Sequence, residues 1–246
     1  MAAAAEILRL QSEISRMQRT SARVDAIPVH EALAPLFPDG GLRPGASYSL
    51  AQEPSLLFAL MAEPSRAGSW CAAVGMPDLS AEAAEAEGVD LDRFVLVPDP
   101  GERWMATVST IAEVFPVVAV RPPSAPRDAD VARLAARLRD RGCVLLVVGV
   151  WPQAELTLQL ADPQWSGIAS DGHGLLAART VTVTAAGRRS PVPRSVRIQL
   201  PGPLGAPSPV RRLPPREAPR STGPLTAQTV SHRGDGASPH LWAVAG

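Results

Sequence analysis

Two spacings of apolar residues alternate along this chain, and the switch between them sets out its elements. Ile7, Leu10, Ile14 and Met17 follow at three- and four-residue steps with charge between them, which predicts an amphipathic helix over residues 2–18. A short helical segment is predicted over His30–Leu36, and Phe37 to Gly45 is dense in turn formers. From there strands and helices alternate. Ala46–Ala51 reads as a strand followed by an apolar helix, Trp70–Gly75 as a strand, and Ser80–Glu87 as a helix. Phe94–Val97 is a strand, Glu102–Val114 a helix, Val117–Val120 a strand, Ala129–Arg141 a helix and Cys143–Val150 a strand. The runs Val117–Val120 and Cys143–Val150 are almost continuously apolar and β-branched, as strands buried on both faces of a parallel sheet must be. The order is that of repeated βαβ units.

After Trp151 the period becomes two. Glu155–Leu160, Thr180–Thr184 and Ser195–Leu200 each alternate apolar with polar, which suits antiparallel strands with one wetter face, and Gly187 to Pro193 reads as the hairpin loop between the last two. The fold class expected is therefore α/β: a mainly parallel sheet flanked by helices, with antiparallel strands at one edge. From residue 203 to residue 246 the chain is rich in Pro, Gly, Ser and Arg, too poor in apolar side chains to offset ordering entropy, and is expected to be a disordered tail. Leu241, Trp242 and Val244 interrupt that composition. An aromatic with aliphatic neighbours is the usual anchor of a short recognition motif, so these three are candidate partner-binding residues, as are Ile7, Leu10, Ile14 and Met17 of the first helix.

Composition removes several chemistries. All 24 basic side chains are arginine, so there is no lysine for a Schiff base or for the terminal phosphates of an ordinary phosphate loop. Formal net charge is zero, so any nucleic-acid contact must be local. Cys71 and Cys143 sit in separate apolar runs with no metal-ligand spacing, which predicts buried reduced thiols and suits the cytoplasm. The charged N-terminus is unlike a signal peptide, and no apolar run is long enough to span a membrane.

Candidate catalytic groups are sparse. The connection after the strand at Ala46–Ala51 is Gln52-Glu53-Pro54-Ser55, without the glycines whose backbone N–H groups converge on a phosphate and with a carboxylate where phosphates would sit. Val117–Val120 runs into Arg121. Asp78, the one acid beside the end of Trp70–Gly75, reads as a cap for the next helix, and His173 stands in a glycine-flanked loop with no nucleophile motif beside it. Arg133, Arg137 and Arg141 recur every four residues on one helix, and Arg188 and Arg189 share a loop; a solvated face and weak contact with single-stranded DNA or an acidic partner are both readings of this set. No catalytic, cofactor-binding or metal-binding residue is assigned, and no cofactor is expected.

The sequence of pieces resembles the RecA-type core over roughly residues 25 to 200. The likeness is carried by Gly40 to Gly45 leading into a strand, by Cys71–Val74 followed by Gly88 to Leu96, and by Pro98 to Glu102 with the helix into Val117–Val120. Ala154–Leu160, the Trp165 to Gly174 loop and the Thr180–Leu200 hairpin are similar to the closing section of the ImuA group, once called SulA-like, and in particular its actinobacterial ImuA′ form. That resemblance implies an accessory role in damage-induced mutagenesis, beside an ImuB-type Y-family polymerase homologue and an error-prone C-family polymerase in translesion synthesis.

Against the RecA pattern, the Walker A position is replaced by Gln52 to Ser55, the catalytic glutamate falls near Pro77 or Asp78, and the Walker B aspartate matches Arg121. The DNA-binding loops would fall at Pro122–Asp128 and Trp151–Ala154, too short for that role. The expectation is an N-terminal helix (1–22), a RecA-like domain lacking Walker motifs (23–202) and a tail (203–246), acting as a non-catalytic cytoplasmic adaptor. Its expected partners are the two polymerases, with RecA or self-association and weak single-stranded DNA as further partners and no membrane. A DNA- or RecA-binding module, a divergent NTPase and a cell-division inhibitor are the alternatives.

Overall fold

The computed structural model describes residues 26–168, 173–187, 190–202 and 205–210. The expected N-terminal helix, with Ile7, Leu10, Ile14 and Met17, lies outside the described residues, as do Arg188, Arg189, Leu241, Trp242 and Val244.

Eleven strands and four α-helices are described. A two-residue ladder joins β1 (Ile27–Pro28) to β2 (Gly41–Leu42). The rest is one nine-stranded sheet containing β3 (Ser47–Leu50), β4 (Cys71–Val74), β5 (Phe94–Val97), β6 (Val117–Val120), β7 (Val144–Val148), β8 (Leu156–Ile168), β9 (Gly174–Gly187), β10 (Ser190–Gln199) and β11 (Ser208–Pro209). Its order is β11-β10-β9-β8-β3-β7-β6-β4-β5. Helices α1 (Pro54–Arg66), α2 (Ala81–Ala86), α3 (Trp104–Ile111) and α4 (Asp128–Arg141) connect the parallel strands. The six strands from β8 to β5 pair in parallel, and β9, β10 and β11 extend the β8 side antiparallel. This is a RecA-type α/β core: the strand after the glycine-rich turn is central, with β7 between it and β6.

Both faces of the parallel block are covered, which is why its strands read as continuous apolar runs. Cys71, Ala73, Val117, Ala119, Val144 and Leu146 pack into a core with α1, while Val74, Val118, Val120, Leu145 and Val147 pack against α3 and α4. Helix α1 is buried almost all round, through Leu56 to Ala62, because Val29, Leu33, Leu36 and Phe37 close over its outer side. Helix α4 shows the opposite pattern, burying only Val131, Leu134 and Leu138, and stops at Gly142, whose φ of 67° is left-handed. In the antiparallel extension Leu158, Val181, Val183, Ala185 and Ile198 face the α1 core, while the Gln159, Thr184 and Ser195 positions neighbour one another on the other, wetter face.

Several expected boundaries shift. Glu155–Leu160 was expected to be antiparallel on the strength of its alternation, but β8 is parallel to β3 and antiparallel only to β9; one half-wet face gives the same period in either pairing. β8 also continues to Ile168, into the expected Trp165–Gly174 loop, across register shifts between Ala161 and Gln164 and between Ser166 and Ile168. His30–Leu36 is a single 3-10 turn, Ala34–Leu36, and Glu102–Val114 is a 3-10 turn leading into the shorter α3. The expected tail boundary at 203 falls short of the folded chain, since Ser208 and Pro209 pair with Gln199 and Ile198 and the compact unit runs to Val210.

Candidate functional site

Ligands of open α/β sheets bind beyond the carboxyl ends of the parallel strands, so those ends define the site to inspect. β3 ends at Leu50, and the short link Ala51-Gln52-Glu53 enters α1 with Glu53 as N-cap and Pro54 at the first helical position. The Glu53 side chain makes no capping bond to the helix; it is turned to Arg179 of β9 instead. Arg179 donates from one terminal nitrogen to Glu53 Oε2 at 3.0 Å, from the other to Ser55 Oγ at 2.8 Å, and from Nε to the Leu200 carbonyl at 2.9 Å. Its guanidinium centre also lies 5.5 Å from the ring centroid of Trp165, which is 57% exposed.

The electrostatics are self-contained. A cation beside the positive end of α1 is unfavourable by itself, and the Glu53 carboxylate supplies the anion that a phosphate supplies in a nucleotide site. The Arg179 side chain is 12% exposed while that of Glu53 is 38% exposed, so the cation is withdrawn from solvent and the carboxylate stands at its edge. Glu87, just past α2, also feels Arg179: burial pushes its carboxyl up to about 7 while Arg179 pulls it down, and its Oε2 is buried without a hydrogen-bond partner among the described residues.

A second feature lies beyond the ends of β4, β5 and β6. Gly75, with φ of 75°, turns the chain out of β4 so tightly that a Cβ there would stand 2.6 Å from the Arg121 carbonyl oxygen. Arg121 follows β6 and donates to Asp78 Oδ1 at 2.6 Å, which holds the Asp78 carboxyl below its usual range. Where magnesium-binding and general-base carboxylates would stand in a RecA-type ATPase, there is thus an arginine facing an aspartate. Asp78 does not cap α2 as expected; Ser80 does, its Oγ accepting from the Ala83 N–H at 3.1 Å, because Asp78 is taken by Arg121. Beside Arg121 opens a cavity of about 630 Å³ walled by Pro77, Pro98, Pro100, Pro122, Pro123 and Trp104.

The other expected residues are spread over the molecule. Arg133 and Arg137 are engaged with Asp130 at 3.2 Å and Glu113 at 3.6 Å, and Arg141 is exposed at the end of α4. His173 is exposed between β8 and β9. Trp151, where a DNA-binding loop was considered, is 4% exposed and donates its backbone N–H to Ser49 Oγ at 2.9 Å. Cys71 and Cys143 are buried as free thiols, each pushed up to about 12 by burial. Among the described residues no cluster of His, Cys, Asp and Glu could hold a metal ion, and no helix is long and apolar enough to cross a membrane. Arg179, Trp165 and Glu87 were not singled out from the sequence. The signal was present for one of them: Arg179 is in phase with the inward-facing Val181, Val183 and Ala185, and a charge in that phase requires a partner.

Fold and site together define an α/β protein with a RecA-like strand order, in which the link between β3 and α1 is tied to β9 by the Arg179–Glu53 pair. The chain belongs to the family of Rv3395c from Mycobacterium tuberculosis, to which it is 30% identical over 189 residues, covering 73% of this chain and 92% of that protein. Residues 35–153 match the MT3502 N-terminal domain, a span that holds Glu53, Ser55, Asp78 and Arg121 but stops before β8 and Arg179. The fold also has a likeness to the flagellar accessory protein FlaH from Methanocaldococcus jannaschii, at a TM-score of 0.41 and 9% identity over 65% of this chain and 86% of that one.

Proposed function

We propose that this protein is a non-catalytic adaptor of the ImuA′ type, joining an ImuB-type Y-family polymerase homologue to an error-prone C-family polymerase during damage-induced translesion synthesis. The observation that supports the reading is the Arg179–Glu53 pair, which sets a bonded carboxylate at the head of α1 where a phosphate loop would stand, together with the Arg121–Asp78 pair after β6. A core that cannot hold a nucleotide phosphate in the usual mode is left with surfaces to offer, and holding two enzymes together raises their effective concentration at a lesion without any chemistry of its own. The partners come from the resemblance of residues 154–200 to the ImuA group.

Two measurements test this. Co-expression of the tagged full chain with the two polymerases should recover both in one complex, and recovery of neither would overturn the adaptor reading. Calorimetric titration with ATP and magnesium should give no heat of binding; saturable binding would favour a divergent NTPase instead.

A further inference from the structure

The cavity beyond β4, β5 and β6 is walled by groups that accept hydrogen bonds, with few that donate them. Five of its wall residues, Pro77, Pro98, Pro100, Pro122 and Pro123, have no backbone N–H to offer. The N–H groups of three more are already bonded within the chain: Gly75 to the Val97 carbonyl, Arg121 to the Val74 carbonyl and Gly101 to Asp99 Oδ1. The Arg121 side chain donates to Asp78, and its Nε is buried. What remains for a guest is the exposed carboxylates of Asp99 and Glu102, the Ser124 hydroxyl, and the apolar surface of the proline rings beside the buried Trp104 indole. The surrounding chain carries the same sign of charge. Residues 78–102 hold eight carboxylates and one arginine, while Arg103 lines a neighbouring hollow with Arg133 and Arg137.

A guest matched to this wall brings donors and positive charge together with a flat apolar body. An anionic guest would meet Asp99 and Glu102 while Arg121 is already held by Asp78. A guanidinium or ammonium group finds acceptors instead, since Asp99 uses only Oδ1 for the Gly101 N–H and Glu102 stands exposed beside it. The proline rings present C–H edges on which the negative face of an aromatic ring packs. A volume of about 630 Å³ lies within the range of clefts that hold compact guests, so it takes a few side chains and not a broad protein face. We propose that this cavity is a docking site for a segment of a partner protein in which an aromatic side chain stands next to arginine or lysine, with the ring against the prolines and the cation at Asp99 and Glu102. The cavity has this preference whichever protein carries the segment, so it stands apart from the adaptor reading.

Titration of the isotope-labelled full chain with short synthetic peptides, followed by NMR, tests this. The probe is a blocked pentapeptide with tryptophan between two arginines. Saturable shifts are expected at Gly75, Asp99 to Trp104 and Arg121 to Ser124, and none at Thr182 or Thr184 in the antiparallel extension. The same peptide with glutamate for both arginines, or with alanine for tryptophan, should bind about ten-fold more weakly or worse. Asp99→Asn combined with Glu102→Gln removes two exposed charges and keeps an acceptor for the Gly101 N–H. That variant should bind the arginine peptide about three- to ten-fold more weakly with an unchanged melting temperature. Affinity for the acidic peptide equal to or above that for the basic one, shifts centred outside the cavity, no saturable shift at millimolar peptide, or a charge-free variant that binds as tightly as the parent would each overturn the proposal. None of these results would alter the recovery of the two polymerases with the tagged chain, so the two readings fail separately.

Discussion

Arg179 of β9 and Glu53 at the head of α1 are 126 positions apart in sequence and form an ion pair of 3.0 Å, so the edge extension of the sheet is tied to the place where a phosphate loop would stand. All three nitrogens of the arginine are engaged, since Ser55 and Leu200 accept from the other two. Removing it strands a carboxylate, a hydroxyl and a carbonyl together. Arg179→Ala should therefore destabilise the protein by about 2–4 kcal/mol. Glu53→Gln, which keeps a hydrogen-bond acceptor at a more exposed position, should cost clearly less. Urea unfolding followed by circular dichroism measures both; a loss under about 0.5 kcal/mol for Arg179→Ala would show the latch to be idle.

This pairing also marks the limit of what the sequence makes legible. The parallel core is readable because Val117–Val120 and Val144–Val148 are apolar without interruption and alternate with periodic helices. The loss of the phosphate loop is readable from Gln52 to Ser55 alone. What closes the gap is not, since the partner arrives from β9 through a register that two irregularities in β8 adjust. Asp78 illustrates the same limit at shorter range: a capping role and a bond to Arg121 are equally compatible with its position, and only the packing of β4 beside β6 decides between them. The proline cavity is assembled from three separate strand ends and has no linear signature.

The Glu87 carboxyl supplies a pH dependence with a definite sign. Its folded value is raised to about 7 by burial, above the value near 4.5 it has when unfolded. The native state therefore binds the proton more tightly, and stability is full below about pH 4.5 and declines as pH rises through about 7. Glu87→Gln should be more stable than the parent above pH 7 and should flatten the profile between pH 4.5 and 7. Melting temperatures taken across that range decide it; a variant less stable than the parent at pH 8 would mean that Glu87 is held as a needed anion for Arg179.

Cys71 and Cys143 are buried in different core clusters, one on each face of the sheet, with both thiols pushed up to about 12. Neither forms thiolate at neutral pH in the folded chain. Alkylation by iodoacetamide should be negligible under native conditions and should track global unfolding as urea is added, with both sites labelled together. Mass spectrometry of partly unfolded samples reads this directly, and early labelling of one cysteine alone would reveal that its face of the sheet opens independently.

Gly75 places the Arg121–Asp78 pair, because the left-handed turn at the end of β4 brings its backbone against the Arg121 carbonyl. A Cβ at this position meets both penalties at once, a φ of 75° and an oxygen 2.6 Å away. The blocking atom is backbone, so a side-chain rotation cannot relieve it. Gly75→Ala should cost about 1–3 kcal/mol. Relief requires the ends of β4 and β6 to separate, which would loosen the cavity wall at Pro77 and Pro122 as well. Hydrogen exchange should then rise at Arg121, whose N–H is bonded to the Val74 carbonyl at 3.0 Å, and stay unchanged in β9 and β10. Uniformly faster exchange, or none, would show that the strand ends are not coupled through this contact.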